Sequence, residues 1–128
     1  FLTSEMVKPG VHINAMGAIV LARTEFTTDF FPRCNVIAVD NLATIRSISS
    51  EFRAYYGDDD KAWKEVRSVA SLIEDNITRP ADADLTLFKA MGMGLSDMAL
   101  AVDILAKARE QGLGHKVPER IKTPPQLK

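Results

Sequence analysis

The chain has 128 residues, of which 46% are hydrophobic and 26% are charged, and its formal net charge is −1. This length and composition exclude a disordered chain and correspond to one globular domain. The balanced charge leaves no basic face for a nucleic acid, and no apolar run reaches the roughly 18 residues of a transmembrane helix. Cys34, the single cysteine, cannot form an internal disulfide, which fits a reducing compartment and predicts a cytoplasmic protein.

The first half of the chain alternates predicted strands and helices. Residues 11–16 read as a short strand, and residues 25–31 as a short helix capped by Thr24. The continuous apolar run at 35–40 is typical of a parallel strand that is covered on both faces. Helical spacing of apolar residues then predicts one helix over 41–56.

The second half continues the same alternation. Asp60 is predicted to cap an amphipathic helix whose inward face holds Trp63, Val66, Ala70 and Ile73. Residues 84–91 form the third predicted strand, and a glycine turn leads from it into a helix that Ser96 caps and Gly112 ends. Parallel strands require such crossover helices, so the predicted fold class is α/β with a mostly parallel sheet.

Three patterns could carry chemistry, and each has a structural alternative. Gly92 and Gly94 separate a strand from a helix, as in phosphate-binding turns, but a third glycine is missing and Asp97 would repel a phosphate, which favours a tight turn. His12 lies within a strand, where a structural histidine is more common than a catalyst. The acidic run 58–60 has no second acidic cluster at ligand spacing, so a solvated helix cap is favoured and no metal site is predicted.

Two segments together are similar to one protein family. Residues 8–18 (KPGVHINAMGA) and 84–97 (DLTLFKAMGMGLSD) resemble motifs of the ornithine cyclodeaminase/mu-crystallin family, and the pattern Arg23-x-Glu25 and the strand at 36–40 lie between them in the family's order. The likeness covers about residues 1–114. The family comprises NAD(P)-dependent, usually dimeric enzymes and their relatives, among them cyclodeaminases, alanine dehydrogenases and imine reductases. The resemblance implies a Rossmann-like sheet with flanking helices, NAD or NADP as cofactor, and a small amino or imino acid as substrate.

The same resemblance assigns site residues. The segment that lies along the nicotinamide side of the cofactor corresponds to Met16, Gly17 and Ala18. Arg23 stands where the family often has a basic cofactor contact. Ala90 replaces a serine near the nicotinamide, and Met91 occupies a position that touches the substrate.

Ile19 is the most informative departure from the family's pattern. It falls where the cyclodeaminases carry their catalytic aspartate, and an isoleucine cannot move a proton. The resemblance therefore identifies no catalytic residue in this chain and argues against cyclodeamination. It favours an amino-acid dehydrogenase or imine reductase, whose hydride chemistry belongs to the cofactor.

The resemblance also divides the chain. Residues 1–95 correspond to the second half of an NAD(P)-binding domain, 96–114 to the helix that returns toward a substrate and dimerisation domain, and 115–128 to an extended tail. We therefore expect a carboxyl-terminal fragment that is inactive by itself and forms a homo-oligomer or requires a companion amino-terminal segment, because half a sheet leaves an open edge. Two alternatives stay open, namely a non-catalytic cofactor-binding member and a dimerisation or interaction module derived from the family.

Overall fold

A computed structural model describes residues 2–118 and contains a parallel sheet of four strands. The strands are β1 (Val11–Ala15), β2 (Cys34–Val39), β3 (Val66–Ser68) and β4 (Leu85–Lys89). Their order across the sheet is β1-β4-β2-β3, and all three neighbouring pairs are parallel. The two central strands carry the most continuous apolar runs because both of their faces are covered. The predicted α/β class is confirmed.

The described residues form four α-helices. They are α1 (Leu42–Ile48), α2 (Ser50–Tyr56), α3 (Val69–Glu74) and α4 (Gly94–Glu110), with shorter 3-10 helices at Ser4–Met6, Thr28–Arg33 and Ala62–Glu65. Asn41 caps α1, since its side chain accepts the N–H of Thr44 at 2.9 Å. The Ser68 hydroxyl accepts the N–H of Ser71 at 3.0 Å and caps α3 in the same way.

The core is built largely from aromatic side chains. Leu85 and Leu87 alternate along β4 and therefore point to one face of the sheet, where both are almost fully buried. Phe31 packs edge-on against Phe52 and Tyr56, with ring centroids 4.9 and 5.2 Å apart. The other buried rings in this cluster are Phe26, Phe30 and Trp63. This packing joins the segment between β1 and β2 to the core of the sheet.

The chain divides into two compact units, Phe1–Met93 and Gly94–Lys128. Within the second unit, α4 buries none of its side chains. It ends at Glu110, two residues before the predicted stop at Gly112, whose φ of 65° suits a glycine. Residues 115–118 carry no helix or strand, and the rest of the predicted tail lies outside the described residues. The assignment of 1–95, 96–114 and 115–128 to parts of a longer enzyme stays a prediction.

The predicted amphipathic helix after Asp60 is wrong. This stretch contains the 3-10 helix Ala62–Glu65, then strand β3, then α3, so the sheet has a fourth strand. Trp63 and Val66 are buried as predicted, but Ile73 is 70% exposed. The helix does not form because Val66 pairs with Ile37 of β2, and the Ser68 cap restarts the backbone as α3.

Other element boundaries also differ from the predictions. The helix predicted at 25–31 is a 3-10 helix at Thr28–Arg33, because Phe26 is extended and bridges to Leu2. The helix predicted at 41–56 is broken at Ser49, whose ψ of 114° is extended. Ser96 is not a cap, since α4 already begins at Gly94.

Candidate functional site

The carboxyl ends of β1 and β4 meet at one edge of the sheet. The two strands are adjacent and in parallel register, and the N–H of Ala90 donates to the carbonyl of Ala15 at 3.1 Å. We call the segments that follow them, residues 16–18 and 90–92, the edge loops. Ligands of open parallel sheets bind at the carboxyl ends of the strands, so the edge loops form the candidate site.

The edge loops present a small apolar surface. Ala18, Ala90 and Met91 are buried at 5–8% exposure, whereas Met16 is 61% exposed. Small side chains at this point let a flat ligand approach the backbone closely. The structure therefore brings together five of the six residues that the family resemblance assigns to the site.

Glu25 and Lys89 form an ion pair beneath the first edge loop. Lys89 is the last residue of β4 and is completely buried, and its Nζ donates to the Glu25 carboxylate and, at 2.8 Å, to the carbonyl of Ala18. The other carboxylate oxygen of Glu25 accepts the N–H of Gly17 at 2.7 Å. An unpaired ammonium in the core would be strongly destabilising, so buried Lys89 needs both the Glu25 carboxylate and the Ala18 carbonyl as partners.

The ion pair also sets the ionisation of Glu25. Burial acts to raise the pKa of this carboxyl, but the hydrogen bond from Lys89 and the backbone hydrogen bonds of the loop outweigh it. The net effect lowers the pKa of Glu25 below its ordinary value. The hydrogen bonds that Glu25 accepts therefore favour its charged form.

A second carboxylate organises the other edge loop. Asp40 follows β2, and one of its oxygens accepts the N–H groups of both Met91 and Gly92 at 2.9 Å. Its other oxygen accepts the N–H of Asn41 at 2.7 Å. Gly92 has a φ of 87°, a left-handed conformation that favours glycine.

These two carboxylates decide which ligand groups the edge can accept. The amides of Gly17, Met91 and Gly92 are already donated to Glu25 and Asp40, so they are not free to bind a phosphate. The structure thus favours the tight-turn interpretation of the Gly92-x-Gly94 motif. What the edge offers instead is apolar contact, chiefly from Met16, which is 61% exposed.

The remaining sequence candidates lie elsewhere or make other contacts. Arg23 is exposed in the loop that follows the first edge loop, and its carbonyl accepts the hydroxyl of Ser50 at 2.8 Å. Ile19 is 51% exposed in the same loop. The His12 imidazole hydrogen-bonds the Thr86 hydroxyl at 2.8 Å, near the start of β1 and away from the edge loops, which is the structural role favoured for it.

The described residues form neither a metal-ligand cluster nor a membrane-spanning helix. Across residues 2–118, no group of three histidine, cysteine, aspartate or glutamate side chains is arranged to hold a metal ion. In the acidic run 58–60, Asp60 pairs with Arg46 and Asp59 accepts the N–H of Lys61. None of the helices in this described range has the length and apolarity to cross a membrane.

Sequence reasoning missed Lys89 and Asp40, and it placed Glu25 in the first turn of a helix. A signal for Lys89 was present, because Leu85, Leu87 and Lys89 alternate and share the core face of one strand. A lysine at a core position requires a buried partner. Nothing in the sequence pattern identified that partner as Glu25, 64 residues away.

Comparison with known proteins identifies the family of the chain. The model of the ornithine cyclodeaminase/mu-crystallin family matches residues 1–112. The chain belongs to this family. A curated relative, the Delta(1)-pyrroline-2-carboxylate reductase of Bacillus cereus, is 24% identical over 116 residues, which cover 89% of this chain and 36% of the relative.

Solved structures show the same fold. The Thermococcus litoralis Delta(1)-pyrroline-2-carboxylate reductase in complex with NADH and L-proline superposes with a TM-score of 0.70 at 21% identity. The iminosuccinate reductase of Paracoccus denitrificans in complex with NAD+ gives a TM-score of 0.70 at 26% identity. Each match covers 91% of this chain and 36% of the solved chain. The Rossmann-like sheet is thereby confirmed, and the chain spans about a third of the length of the proteins it matches.

Proposed function

We propose that the native polypeptide containing this chain is an NAD(P)-dependent oxidoreductase acting on a small amino or imino acid. The proposal rests on family membership and on the geometry of the carboxyl edge. The solved relatives named above are complexes with NADH or NAD+, and the curated relative is a reductase of a cyclic imino acid. We accordingly propose NAD or NADP as the cofactor.

The observation that carries the proposal is the meeting of the two edge loops. Met16, Gly17 and Ala18 follow β1, Ala90 and Met91 follow β4, and the Ala15–Ala90 hydrogen bond joins the two segments. The carboxylates of Glu25 and Asp40 accept backbone N–H groups of the edge loops, and Glu25 also pairs with Lys89, so their charges are engaged within the protein and do not oppose an apolar ring. This surface fits the nicotinamide end of a dinucleotide, and its engaged amides do not fit the pyrophosphate.

Within that arrangement, the chain's own residues bind and orient. Ala18 and Ala90 would hold the ring close to the backbone, and Arg23 would contact the cofactor from the exposed loop. Met91 would line the substrate side and exclude water from the reacting centre. When bound, the cofactor would supply hydride exchange with the α-carbon of the amino or imino acid.

Neither Ile19 nor Lys89 is suited to transfer a proton to or from a substrate. Ile19 carries no ionisable group, and Lys89 is buried and engaged by Glu25 and Ala18. We therefore propose that the 128-residue segment alone is inactive and that other parts of the native polypeptide, or of a partner subunit, hold the substrate and move its proton. Ornithine cyclodeamination is not proposed.

We also propose that, in the native protein, another segment or subunit covers the open edge of β1 and the apolar side chains of α4. β1 lies at the end of the described sheet, so one of its edges has no neighbouring strand there. In the other unit, α4 exposes Leu95, Met98, Val102 and Leu105. An open strand edge and an apolar helix both favour association, either with a companion amino-terminal segment or in a homo-oligomer.

We propose a cytoplasmic location for the protein, because the free thiol of Cys34 fits a reducing compartment.

A thermal-shift titration with NADH and NADPH tests the proposed function. The native polypeptide should be stabilised by at least one of the two, since a ligand that binds only the folded state raises the melting temperature with its concentration. Reduction of Delta(1)-pyrroline-2-carboxylate, followed by loss of NADH absorbance, then tests the substrate class. Absence of stabilisation by both cofactors would contradict the proposal.

Ile19 favours a second candidate, a non-catalytic cofactor-binding protein. In that case the cofactor should stabilise the protein while turnover stays at the background rate with every imino acid tried. An Ile19→Asp variant is a useful companion, because it should keep cofactor binding if this position only replaces the family's acid. A protein that binds neither cofactor yet forms a dimer by light scattering would support the interaction-module alternative instead.

A further inference from the structure

We propose that Glu25 and Lys89 are positioning residues that set the conformation of the first edge loop, residues 16–18, and thereby control cofactor affinity. Neither side chain needs to touch the cofactor for this role. The part of the inference that concerns the cofactor rests on the proposed function. The part that concerns the loop rests only on the contacts described below.

The pair binds one backbone N–H and one backbone carbonyl of the loop. The Glu25 carboxylate accepts the N–H of Gly17 at 2.7 Å, and the Lys89 ammonium donates to the carbonyl of Ala18 at 2.8 Å. The two side chains also bind each other. One donor and one acceptor of opposite charge therefore hold consecutive residues of the loop, and charge-assisted bonds of this kind are stronger than neutral ones.

The loop is shaped to this carboxylate. A Cβ atom built on Gly17 would lie 3.0 Å from the nearer Glu25 oxygen, which is tighter than ordinary contact. The glycine thus permits the close approach that the hydrogen bond needs. Residues 19–21, which follow the loop, are exposed and form no helix or strand, so they do not hold it in place.

Glu25 is itself fixed from the protein interior. Its N–H donates to the carboxylate of Glu51 at 2.8 Å, and Glu51 is only 2% exposed. The other oxygen of Glu51 accepts the hydroxyl of Ser49 at 2.9 Å. The loop is therefore connected to α2 through Glu25 and Glu51, and to the central strand β4 through Lys89.

The same strand supplies a matched control at its opposite end. Arg33 and Asp84 form an ion pair with an N–O distance of 2.9 Å, and Asp84 immediately precedes β4, whereas Lys89 ends it. This pair connects structural elements far from the edge loops. Its loss should lower stability without altering the candidate site.

The experiment compares Lys89→Met with Asp84→Asn in the native polypeptide. Lys89→Met removes the ammonium and leaves a carboxylate that is 27% exposed and can be hydrated, so the variant has a route to folding. Glu25→Gln is the second variant, and it replaces the charged acceptor of both Gly17 and Lys89 with a neutral amide, which weakens both hydrogen bonds. For each protein, NADH affinity, the kcat and KM for reduction of Delta(1)-pyrroline-2-carboxylate, and hydrogen exchange of the Gly17 amide are measured.

We expect Lys89→Met to weaken NADH binding by about tenfold and to raise the KM for NADH more than it lowers kcat, the order of effect of one lost charge-assisted hydrogen bond. Gly17 exchange should accelerate by a similar factor. Asp84→Asn should change neither quantity by more than about twofold. Glu25→Gln should show the same pattern as Lys89→Met.

Two results would overturn the inference. One is that both pair variants bind NADH as Asp84→Asn does, and the other is that Gly17 exchange is unchanged in them. Failure of the wild-type protein to bind NADH or NADPH would instead overturn the proposed function. In that event the exchange measurement still decides whether the pair orders the loop.

Discussion

Asp40 and Gly92 are joined by a hydrogen bond in which the carboxylate of Asp40 accepts the backbone N–H of Gly92 at 2.9 Å. The two residues are 52 positions apart and follow neighbouring parallel strands, β2 and β4. The same oxygen accepts the N–H of Met91. The end of one strand therefore determines the path of the chain where it leaves the next, at the residues proposed to face the ligand.

Replacement of Asp40 should loosen this turn. In Asp40→Asn, an NH2 group replaces one of the two carboxylate oxygens that accept backbone N–H groups, so a donor then faces a donor. We therefore expect the free energy of unfolding to fall by about 1–3 kcal/mol. Urea unfolding followed by the fluorescence of Trp63 measures the change. Asp82→Asn, at an exposed loop position, serves as the control and should be within about 0.5 kcal/mol of wild type. Equal stability of the two variants would contradict a role for the Asp40 hydrogen bonds.

The two glycines of the turn should respond oppositely to alanine. Gly92 has a φ of 87°, and a side chain there is strained even though no atom lies within 4 Å, so Gly92→Ala should cost about 1–2 kcal/mol. Gly94 begins α4 in an open environment, and Gly94→Ala should stabilise the protein by up to about 1 kcal/mol through helix propensity. Chemical denaturation of the two variants side by side provides the comparison. A loss of stability in Gly94→Ala would show that this residue has another constraint.

Acid should destabilise the protein through its paired carboxylates. The hydrogen bond from Arg33 lowers the pKa of Asp84, and the contacts with Lys89 and the loop amides more than offset burial and lower the pKa of Glu25. Because the folded-state pKa values lie below the ordinary values of 3.8 and 4.5, the unfolded chain takes up protons first as the pH falls.

The contribution of these groups to stability is therefore fully present above about pH 5 and is lost as the pH falls through the folded-state values. Unfolding free energies measured by urea titration between pH 3 and pH 7 test this. Asp84→Asn should show a shallower decline than wild type below about pH 5. An identical decline in the variant would mean that the Arg33–Asp84 pair does not contribute to the acid response.

Cys34 should be nearly inert toward thiol reagents in the folded protein. Burial raises the pKa of its thiol to about 12, although the nearby Arg33 guanidinium acts in the opposite direction. Compared with the ordinary value of 9.0, the thiolate fraction at pH 8 should be lower by about a thousandfold. Iodoacetamide labelling with and without denaturant, quantified by mass, measures this. Rapid labelling of the folded protein would contradict the predicted burial of the thiol.

Much of the fold was predictable from local pattern, and the exceptions are instructive. The strands around 11–15, 34–39 and 85–89 were recognisable because short segments rich in apolar and β-branched residues lie between turn residues, with the most continuous run in the second. Strand β3 was not recognisable, since Val66 belongs to the apolar spacing Trp63, Val66, Ala70 and Ile73, which also fits a helix. Only the pairing of Val66 with Ile37 decides between the two structures.

The sequence by itself determined the α/β class, the family resemblance and the candidate residues at the ends of β1 and β4, because strand runs, glycines and motif order are local properties of the chain. Tertiary structure alone decided how those residues are held. Lys89 meets Glu25, and Asp40 meets Gly92, across 64 and 52 positions. Buried charges and backbone amides must find partners wherever the fold supplies them, and no local pattern encodes that choice.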